Sequence, residues 1–349
     1  MSLRRPLLPL VAAAVLAAPA HATETRAVTD SAGRRVEVPV RIARVFAAGP
    51  PASVLVFVLN PDTLLGWTSA LRPAERPFIP ARYADLPTLG RLAGRGGTAN
   101  VESVLAMRPD VVLDYGAVGP TYVSLADRGQ RQTGLPYLLF DGSLGAIPRT
   151  LETVGTLLGV PDRGRELARY AARVLAETDE RVARVPPERR PRVYYARGPR
   201  GLETGLQGSI NVESLERLGA RNVAAAAGPG AGVTAVSLEQ VLAWDPEVVV
   251  TLDPAVAQSI ATDPGWQAVR AVREGRVHVA PSLPFGWIDF PPSVNRLIGL
   301  VWLGGVLYPD LFPGDVRREA RDFYGRFYQQ TPDDKLLDAL LGGVVRSGR

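Results

Sequence analysis

The chain contains no cysteine and only two histidines among its 349 residues. The lack of cysteine excludes disulfides, zinc sites with cysteine ligands and a lipid-modified cysteine that would tether the protein. One histidine, His21, lies in a predicted leader. The other, His278, alternates with Val277 and Val279 as a strand residue would. Histidine-dependent nucleophilic catalysis is therefore excluded unless His278 serves, and we predict no catalytic residue, no metal site and no cofactor.

The first residues have the pattern of a secretory signal. Arg4 and Arg5 precede an apolar run at residues 7–16, which is too short to be a good membrane span. A small-residue cleavage site follows at residues 20–22. We expect residues 1–22 to be removed and the protein to be periplasmic and not lipid-anchored. No basic run with interleaved aromatics occurs, so nucleic acid is not an expected partner.

One long amphipathic helix is predicted over residues 162–185. Apolar residues recur there at spacings of three, four and seven. Asp162 is the expected N-cap, and the prolines at 186 and 187 end the helix. About 20 residues in a helix span roughly 30 Å, the width of a small domain. A rigid connection between two lobes is the interpretation that this length favours.

An internal repeat indicates that the two lobes are built alike. Residues 100–113 match residues 237–250 at a separation of 137 residues, with Glu, Val-Leu-Ala, Pro, an acidic residue and Val-Val in the same places. Strand and helix patterns alternate on both sides of the long helix. The predicted fold class is α/β, with two βα lobes that have mainly parallel sheets and are joined by a single long α-helix. The predicted division is an N-terminal lobe at 23–160, the linking helix at 161–186, and a C-terminal lobe with C-terminal helices at 187–349.

These features together resemble the class III periplasmic substrate-binding proteins, the ferric siderophore and vitamin B12 group of ABC importers. The resemblance covers roughly residues 25–330, and the repeated segment is its most specific part. It implies an ABC permease and its ATPase as partners, and we expect a monomer. It also implies that Glu102 and Glu239, which occupy the same place in the two repeats, dock onto arginines of the permease. The alternative for both glutamates is favourable interaction with a helix dipole alone.

In such folds the ligand lies between the lobes, at the carboxyl ends of the strands. The predicted ligand-binding residues follow strands or lie in loops near them. Arg197 and Arg91 are expected to bind an anionic group of the ligand. The aromatic rings of Tyr115 and Trp287 are expected to form flat walls of the site. Arg296 is a further possibility, although it would equally brace its own loop. The full predicted set is Gly49, Pro50, Arg91, Tyr115, Arg197, Glu203, Phe285 and Trp287.

Arginines with aromatics, and almost no histidine, favour an anionic ligand over a bare divalent metal. The leading prediction is an iron(III) chelate resembling a siderophore. Alternatives on the same fold are an oxyanion such as molybdate or tungstate, held by arginine and by backbone amides at the helix start after Gly49, or else cobalamin or haem. An alternative of another class is a periplasmic enzyme that modifies a metal chelate with Asp114, Asp289 and Glu203 as acid and base.

Overall fold

The computed structural model describes residues 24–93, 97–230 and 232–342. The predicted signal peptide at residues 1–22 lies outside the described residues. The strands of the N-terminal lobe are β1 (Thr25–Thr29), β2 (Arg35–Pro39), β3 (Val45–Ala47), β4 (Val111–Gly116) and β5 (Tyr137–Asp141). Its helices are α1 (Pro50–Leu59), α2 (Ala81–Ala84), α3 (Val101–Ala106), α4 (Pro120–Thr133) and α5 (Ile147–Leu157). The first two strands form an antiparallel hairpin, and the other three form a parallel sheet in the order β3-β4-β5.

A single helix of 22 residues, α6 (Pro161–Val182), follows the N-terminal lobe. It begins one residue earlier than the sequence suggested, because proline fits the first helical position. Asp162 therefore lies in the first turn, where its charge suits the helix dipole, and is not the N-cap. The buried face of α6 contains the apolar residues that defined its period, among them Leu167, Ala171 and Val174.

The C-terminal lobe repeats the βα arrangement. Its strands are β6 (Arg192–Tyr195), β7 (Glu203–Gly205), β8 (Arg221–Asn222), β9 (Val233–Ala235), β10 (Val248–Thr251) and β11 (Val277–Val279). Its helices are α7 (Glu213–Arg217), α8 (Leu238–Trp244), α9 (Pro254–Thr262), α10 (Arg270–Arg273), α11 (Arg296–Leu307), α12 (Val316–Phe327) and α13 (Asp334–Leu341). Four strands form a parallel sheet in the order β11-β10-β6-β8, and β7 pairs antiparallel with β9 in a separate two-stranded sheet. The predicted fold class is confirmed.

The sequence repeat corresponds to a repeated hydrogen-bond arrangement, one in each sheet. The Asp110 carboxylate accepts hydrogen bonds from the Ala43 and Arg44 amides at 2.7 and 2.8 Å, at the start of the neighbouring strand β3. In the other lobe the Glu247 carboxylate accepts one from the Arg192 amide at 3.0 Å, at the start of β6. The acidic residue after each proline therefore fixes the register between two parallel strands.

The residues before these two prolines also have the same backbone conformation. Arg108 has φ 46° and Asp245 has φ 36°, the left-handed region that helices often use to end. The arginines at the strand starts return hydrogen bonds to the same helix ends, Arg44 to the Met107 carbonyl and Arg192 to the Trp244 carbonyl. Each repeat is thus a complete helix-stop-strand unit.

Aromatic side chains of α6, α12 and α1 contact one another and so connect the two lobes. Tyr170 of α6 lies 5.4 Å, between ring centroids, from Phe327 of α12. Tyr328, just after α12, lies 5.6 Å from Phe57 of α1. Helix α12 and the residue after it therefore pack on α6 and on α1. The lobes are thus held together by side-chain packing as well as by the chain segment that forms α6.

Candidate ligand site between the lobes

The carboxyl-end edge of the N-terminal sheet touches the C-terminal lobe through two charged side chains. Arg296, at the start of α11, is fully buried and lies 2.7 Å from Glu213, the first residue of α7. Arg296 also donates to the Gly142 carbonyl, directly after β5. The Leu144 amide donates to both Glu213 oxygens at 2.9 Å. Arg296 therefore links the two lobes, and its Nε also donates to the Ser293 carbonyl at 3.2 Å, which is the bracing of its own loop that the sequence left open.

Tyr115 lies beside this contact, at the end of β4. Its side chain is buried, and burial raises its pKa to about 12 although the charge of Arg296 opposes the rise. Its hydroxyl makes no hydrogen bond within the part of the chain that the structure describes. A buried polar atom without a partner is uncommon and calls for an explanation, such as a bound ligand or water.

A second polar cluster lies at the carboxyl end of β6. The Asp289 side chain is fully buried and accepts hydrogen bonds from the Tyr195 hydroxyl at 3.0 Å and the Asn211 amide at 2.9 Å. Arg197 forms an ion pair with it at 3.1 Å. Asn211 is two residues from Glu213, so this cluster is next to the contact between the lobes. The buried carboxylate fixes the position of Arg197, whose side chain remains 18% exposed.

Phe290 is an exposed residue beside this cluster that the sequence analysis did not select. It is 70% exposed, and its ring centroid lies 5.8 Å from the guanidinium carbon of Arg197. Its φ of 59° is in the left-handed region, which is unfavourable for a bulky side chain. Exposed aromatics and strained backbone are both typical of binding surfaces. Residues 281–292 are rich in aromatics and prolines, and nothing local in the sequence separates Phe290 from its neighbours.

Glu203 is brought to Arg197 through the main chain. The two residues exchange backbone hydrogen bonds of 2.8 and 3.0 Å, which close the loop between β6 and β7. The Glu203 side chain lies against Gly198, where an added Cβ would come within 2.8 Å of its carboxyl carbon. Arg197 and Glu203, which were both predicted to bind the ligand, therefore lie in one loop, and the Arg197 side chain is directed to Asp289.

Gly49 and Pro50 lie where predicted, at the carboxyl end of β3 and the start of α1. The two prolines that open α1 have no N–H group, so this helix start offers fewer donors to an anion than most. The loop that contains Arg91 lies beside them, because the amides of Leu92 and Ala93 donate to the Ala48 carbonyl at 2.8 and 2.9 Å. The structure thus brings Gly49, Pro50 and the Arg91 loop together on the N-terminal lobe.

Phe285 and Trp287 lie elsewhere. Trp287 is fully buried and its indole N–H donates to the Tyr324 hydroxyl of α12 at 2.8 Å. The Phe285 ring centroid lies 5.7 Å from that of Trp67 in the N-terminal lobe. Both side chains belong to the aromatic packing that connects the two lobes. The complete burial of Trp287 argues against the flat ligand wall that the sequence suggested for it, whereas Phe285 is only partly buried.

Glu102 and Glu239 are exposed and lie in the first turns of α3 and α8. Each helix leads into a different parallel sheet, so the two glutamates are on different lobes. Hydrogen bonds from its own amide and from Ser237 hold the pKa of Glu239 below its ordinary value. Both carboxylates are accessible to a partner.

Two further properties bear on function. Within residues 24–93, 97–230 and 232–342, no cluster of three or more histidine, cysteine or acidic side chains is arranged to hold a metal ion. No helix in these ranges has both the length and the apolar character needed to cross a bilayer. Two βα lobes with parallel sheets, connected by one long helix and in contact at the carboxyl end of β5, have the architecture of a two-lobed solute-binding protein.

Comparison with known proteins identifies the family. The model of the periplasmic binding protein family matches residues 80–283, more than half of the chain, and the chain belongs to this family. It is a periplasmic binding protein of an ABC importer, and the resemblance seen in the sequence is confirmed.

Individual relatives share most of their length with this chain. The molybdate-binding protein MolA of Haemophilus influenzae is 28% identical over 335 residues, which cover 88% of this chain and 93% of MolA. An ABC transporter solute binding protein from Sulfurospirillum deleyianum has a TM-score of 0.80 at 26% identity, covering 91% of this chain and 99% of that one. A protein of an Fe3+-hydroxamate transport system from Saccharomonospora viridis has a TM-score of 0.61 at 23% identity and shares the fold, covering 81% of this chain and 99% of that one.

Proposed function

We propose that the protein captures a small oxyanion of the molybdate and tungstate class between its lobes and delivers it to an ABC permease and its ATPase. The observation that carries this proposal is Arg197, which Asp289 fixes at the carboxyl-end edge of the C-terminal sheet. A guanidinium held in place donates to an anion without losing freedom on binding. The similarity to MolA along 88% of the chain supports the oxyanion over the other ligands.

The N-terminal lobe supplies backbone donors near the same gap in this proposal. Gly49 precedes α1, and the Arg91 loop lies against it. The unpartnered hydroxyl of Tyr115 is a further donor on this lobe. The proposed site therefore contains Gly49, Arg91, Tyr115 and Arg197, while Pro50 and Glu203 shape its walls.

An iron(III) chelate is the second candidate, and Phe290 favours it. An exposed aromatic ring next to an arginine offers a flat apolar surface and a charge together, which suits an organic chelate better than a bare oxyanion. The relative of the Fe3+-hydroxamate system shares the fold only.

The remaining parts of the proposal concern delivery. Residues 23–160 and 187–349 act as the two lobes, and residues 161–186 as their link. Glu102 and Glu239 dock onto the permease, one from each lobe. The mature protein is a periplasmic monomer without a lipid anchor, and it is not an enzyme.

A ligand panel tests the proposal. Purified protein is titrated calorimetrically with molybdate, tungstate, sulfate, a ferric hydroxamate, a ferric catecholate, cobalamin and haem, and its thermal unfolding is recorded with each. A ligand present at about 100 times its dissociation constant stabilises the protein by about 2.7 kcal/mol. We expect molybdate and tungstate to bind and sulfate to bind more weakly. Binding of a ferric chelate with no response to molybdate would select the second candidate.

A matched pair of variants assigns the site. Arg197→Gln removes the proposed cation and should weaken molybdate binding at least about tenfold, or about 1.4 kcal/mol. Arg200→Gln changes an exposed arginine of the same loop and should bind like the wild type. Equal affinities of the two variants would contradict the role given to Arg197.

A further inference from the structure

The C-terminal lobe has a further cavity. None of the ligand-binding residues discussed above lines it. Its volume is about 490 Å³, and it lies between the end of α7, the start of β8 and the segment before β6. Its polar wall consists of Arg190, Arg221, Glu216, Gln207 and Asn222. Small-molecule sites typically have volumes of about 300–1,000 Å³. The cavity is therefore large enough for a small organic ligand.

Arg190 contributes a charge without a counter-ion. Its guanidinium lies against Gly219, where an added Cβ would come within 3.3 Å of Nε and 3.4 Å of Cζ. Its Nε atom is buried and makes no hydrogen bond among the described residues. No carboxylate lies within ion-pair distance of this guanidinium in the same set of residues. A half-buried guanidinium that has no carboxylate partner is stabilised when an anion binds beside it.

Arg221 is the second cation of the cavity. It donates to the Pro187 carbonyl, and among the described residues it too has no carboxylate partner. Other arginines of the lobe differ: Arg217 is paired with Asp179 at 2.6 Å, and Arg270 with Glu247 at 2.8 Å. Two guanidinium groups without acidic partners therefore share one cavity.

Glu216 is the one carboxyl of the polar wall. Its Oε1 atom accepts a hydrogen bond from the Gly208 amide at 3.3 Å, and burial raises its pKa above the ordinary value. Even with this carboxylate ionised, the two arginines outnumber it, so the polar wall of the cavity has a net positive charge.

We propose that this cavity is a second binding site, for a small organic carboxylate. Each guanidinium presents a fork of parallel N–H donors, which matches the two oxygens of a carboxylate. The amide side chain of Gln207 borders the same space and suits a ligand that has further polar groups, whereas the Asn222 side chain donates to the Gly205 carbonyl and accepts from the Ala224 amide. The proposal does not depend on the ligand of the gap, because the two sites share no residue.

Calorimetric titration with succinate tests the site. The wild-type protein should bind succinate, and Arg190→Gln and Arg221→Gln should each weaken binding at least about tenfold. Glu216→Gln should bind as tightly as the wild type or more tightly, because it removes a negative charge. Arg189→Gln is the matched control, since Arg189 is exposed, adjacent in sequence and not part of the cavity wall. Unfolding temperatures of all four variants verify that they fold.

Several results would overturn the proposal. One is the absence of succinate binding to the wild type at about 10 mM, far above the range of specific sites. Another is unchanged binding in Arg190→Gln, or equal loss in Arg189→Gln. Binding of sulfate without succinate would contradict the carboxylate class. Displacement of succinate by molybdate would place it in the gap, whereas binding of both together supports a separate site whether or not the oxyanion proposal holds.

Discussion

Nη1 of Arg296 lies 2.7 Å from Oε2 of Glu213, and this ion pair within the C-terminal lobe orients both side chains toward the N-terminal lobe. The two side chains also hold the backbone that follows β5, through the Gly142 carbonyl and the Leu144 amide. Together with the aromatic contacts that Phe327 and Tyr328 make with α6 and α1, they hold the two lobes against each other.

Glu213→Leu should destabilise the protein strongly. It leaves the fully buried Arg296 without its counter-ion, and breaking one partner of a buried pair costs about 3–5 kcal/mol. Denaturant unfolding measures the loss. Adding Arg296→Met should recover part of it, because the uncompensated charge is then removed.

The control for this pair is Asp179→Leu, which breaks the ion pair of Arg217. That pair is more exposed, with 54% and 26% of the two side chains accessible, and should cost about 0–1 kcal/mol. If Glu213→Leu costs no more than Asp179→Leu, the contact between the lobes does not depend on the buried ion pair.

The fold was predictable because its signals are local. The period of α6 and the two copies of the helix-proline-strand unit are each contained in fewer than about 25 residues, so propensity and pattern suffice to find them. Asn100 and Ser237 cap their helices as such residues do elsewhere.

The site was predictable only in part, because its contacts join distant parts of the chain. Arg197 was selected from its place after a strand, but its partner Asp289 comes from another loop. Trp287 lies in a loop rich in proline and glycine, which suggested an exposed side chain. Helix α12 nevertheless covers it, and the Tyr324 hydroxyl accepts a hydrogen bond from its indole N–H. The role of Phe290 depends on a left-handed backbone and on Arg197 beside it, and neither can be read from the surrounding letters.

Charge reversal of the two glutamates that we propose to dock onto the permease should separate transport from binding. We expect Glu102→Lys with Glu239→Lys to retain ligand affinity, because both side chains are exposed and lie outside the proposed site. Uptake of the ligand by cells that also express the permease and ATPase should be lost, since attraction to the permease becomes repulsion. Glu188→Lys, at another exposed position, should transport normally. Normal uptake by the double variant would remove the docking role.

Gly164→Ala should destabilise the packing of α6 on α5. An added Cβ would lie 2.7 Å from the Leu151 carbonyl oxygen and 3.1 Å from the Gly155 Cα atom, and both are backbone atoms that cannot turn away. Overpacking of this kind costs about 1–3 kcal/mol. The same change at Gly325, where the nearest atom is 3.4 Å away, should stabilise α12 by about 0.5–1 kcal/mol. Thermal and denaturant unfolding of the two variants should therefore shift in opposite directions, and a shift in one direction for both would contradict the close contact.

His278 should make the folded state less stable as the pH falls. Burial, with a smaller effect of the Arg276 charge, lowers the pKa of His278, so the folded protein keeps it neutral where the unfolded chain binds a proton. The stability that this group contributes is present above the unfolded value of about 6.5 and is lost as the pH falls toward the folded pKa. One proton limits the slope to about 1.4 kcal/mol per pH unit. Denaturant unfolding at about pH 7.5 and about pH 5.5 should show a larger loss in the wild type than in His278→Gln, whose amide does not titrate, and equal losses would contradict the assignment.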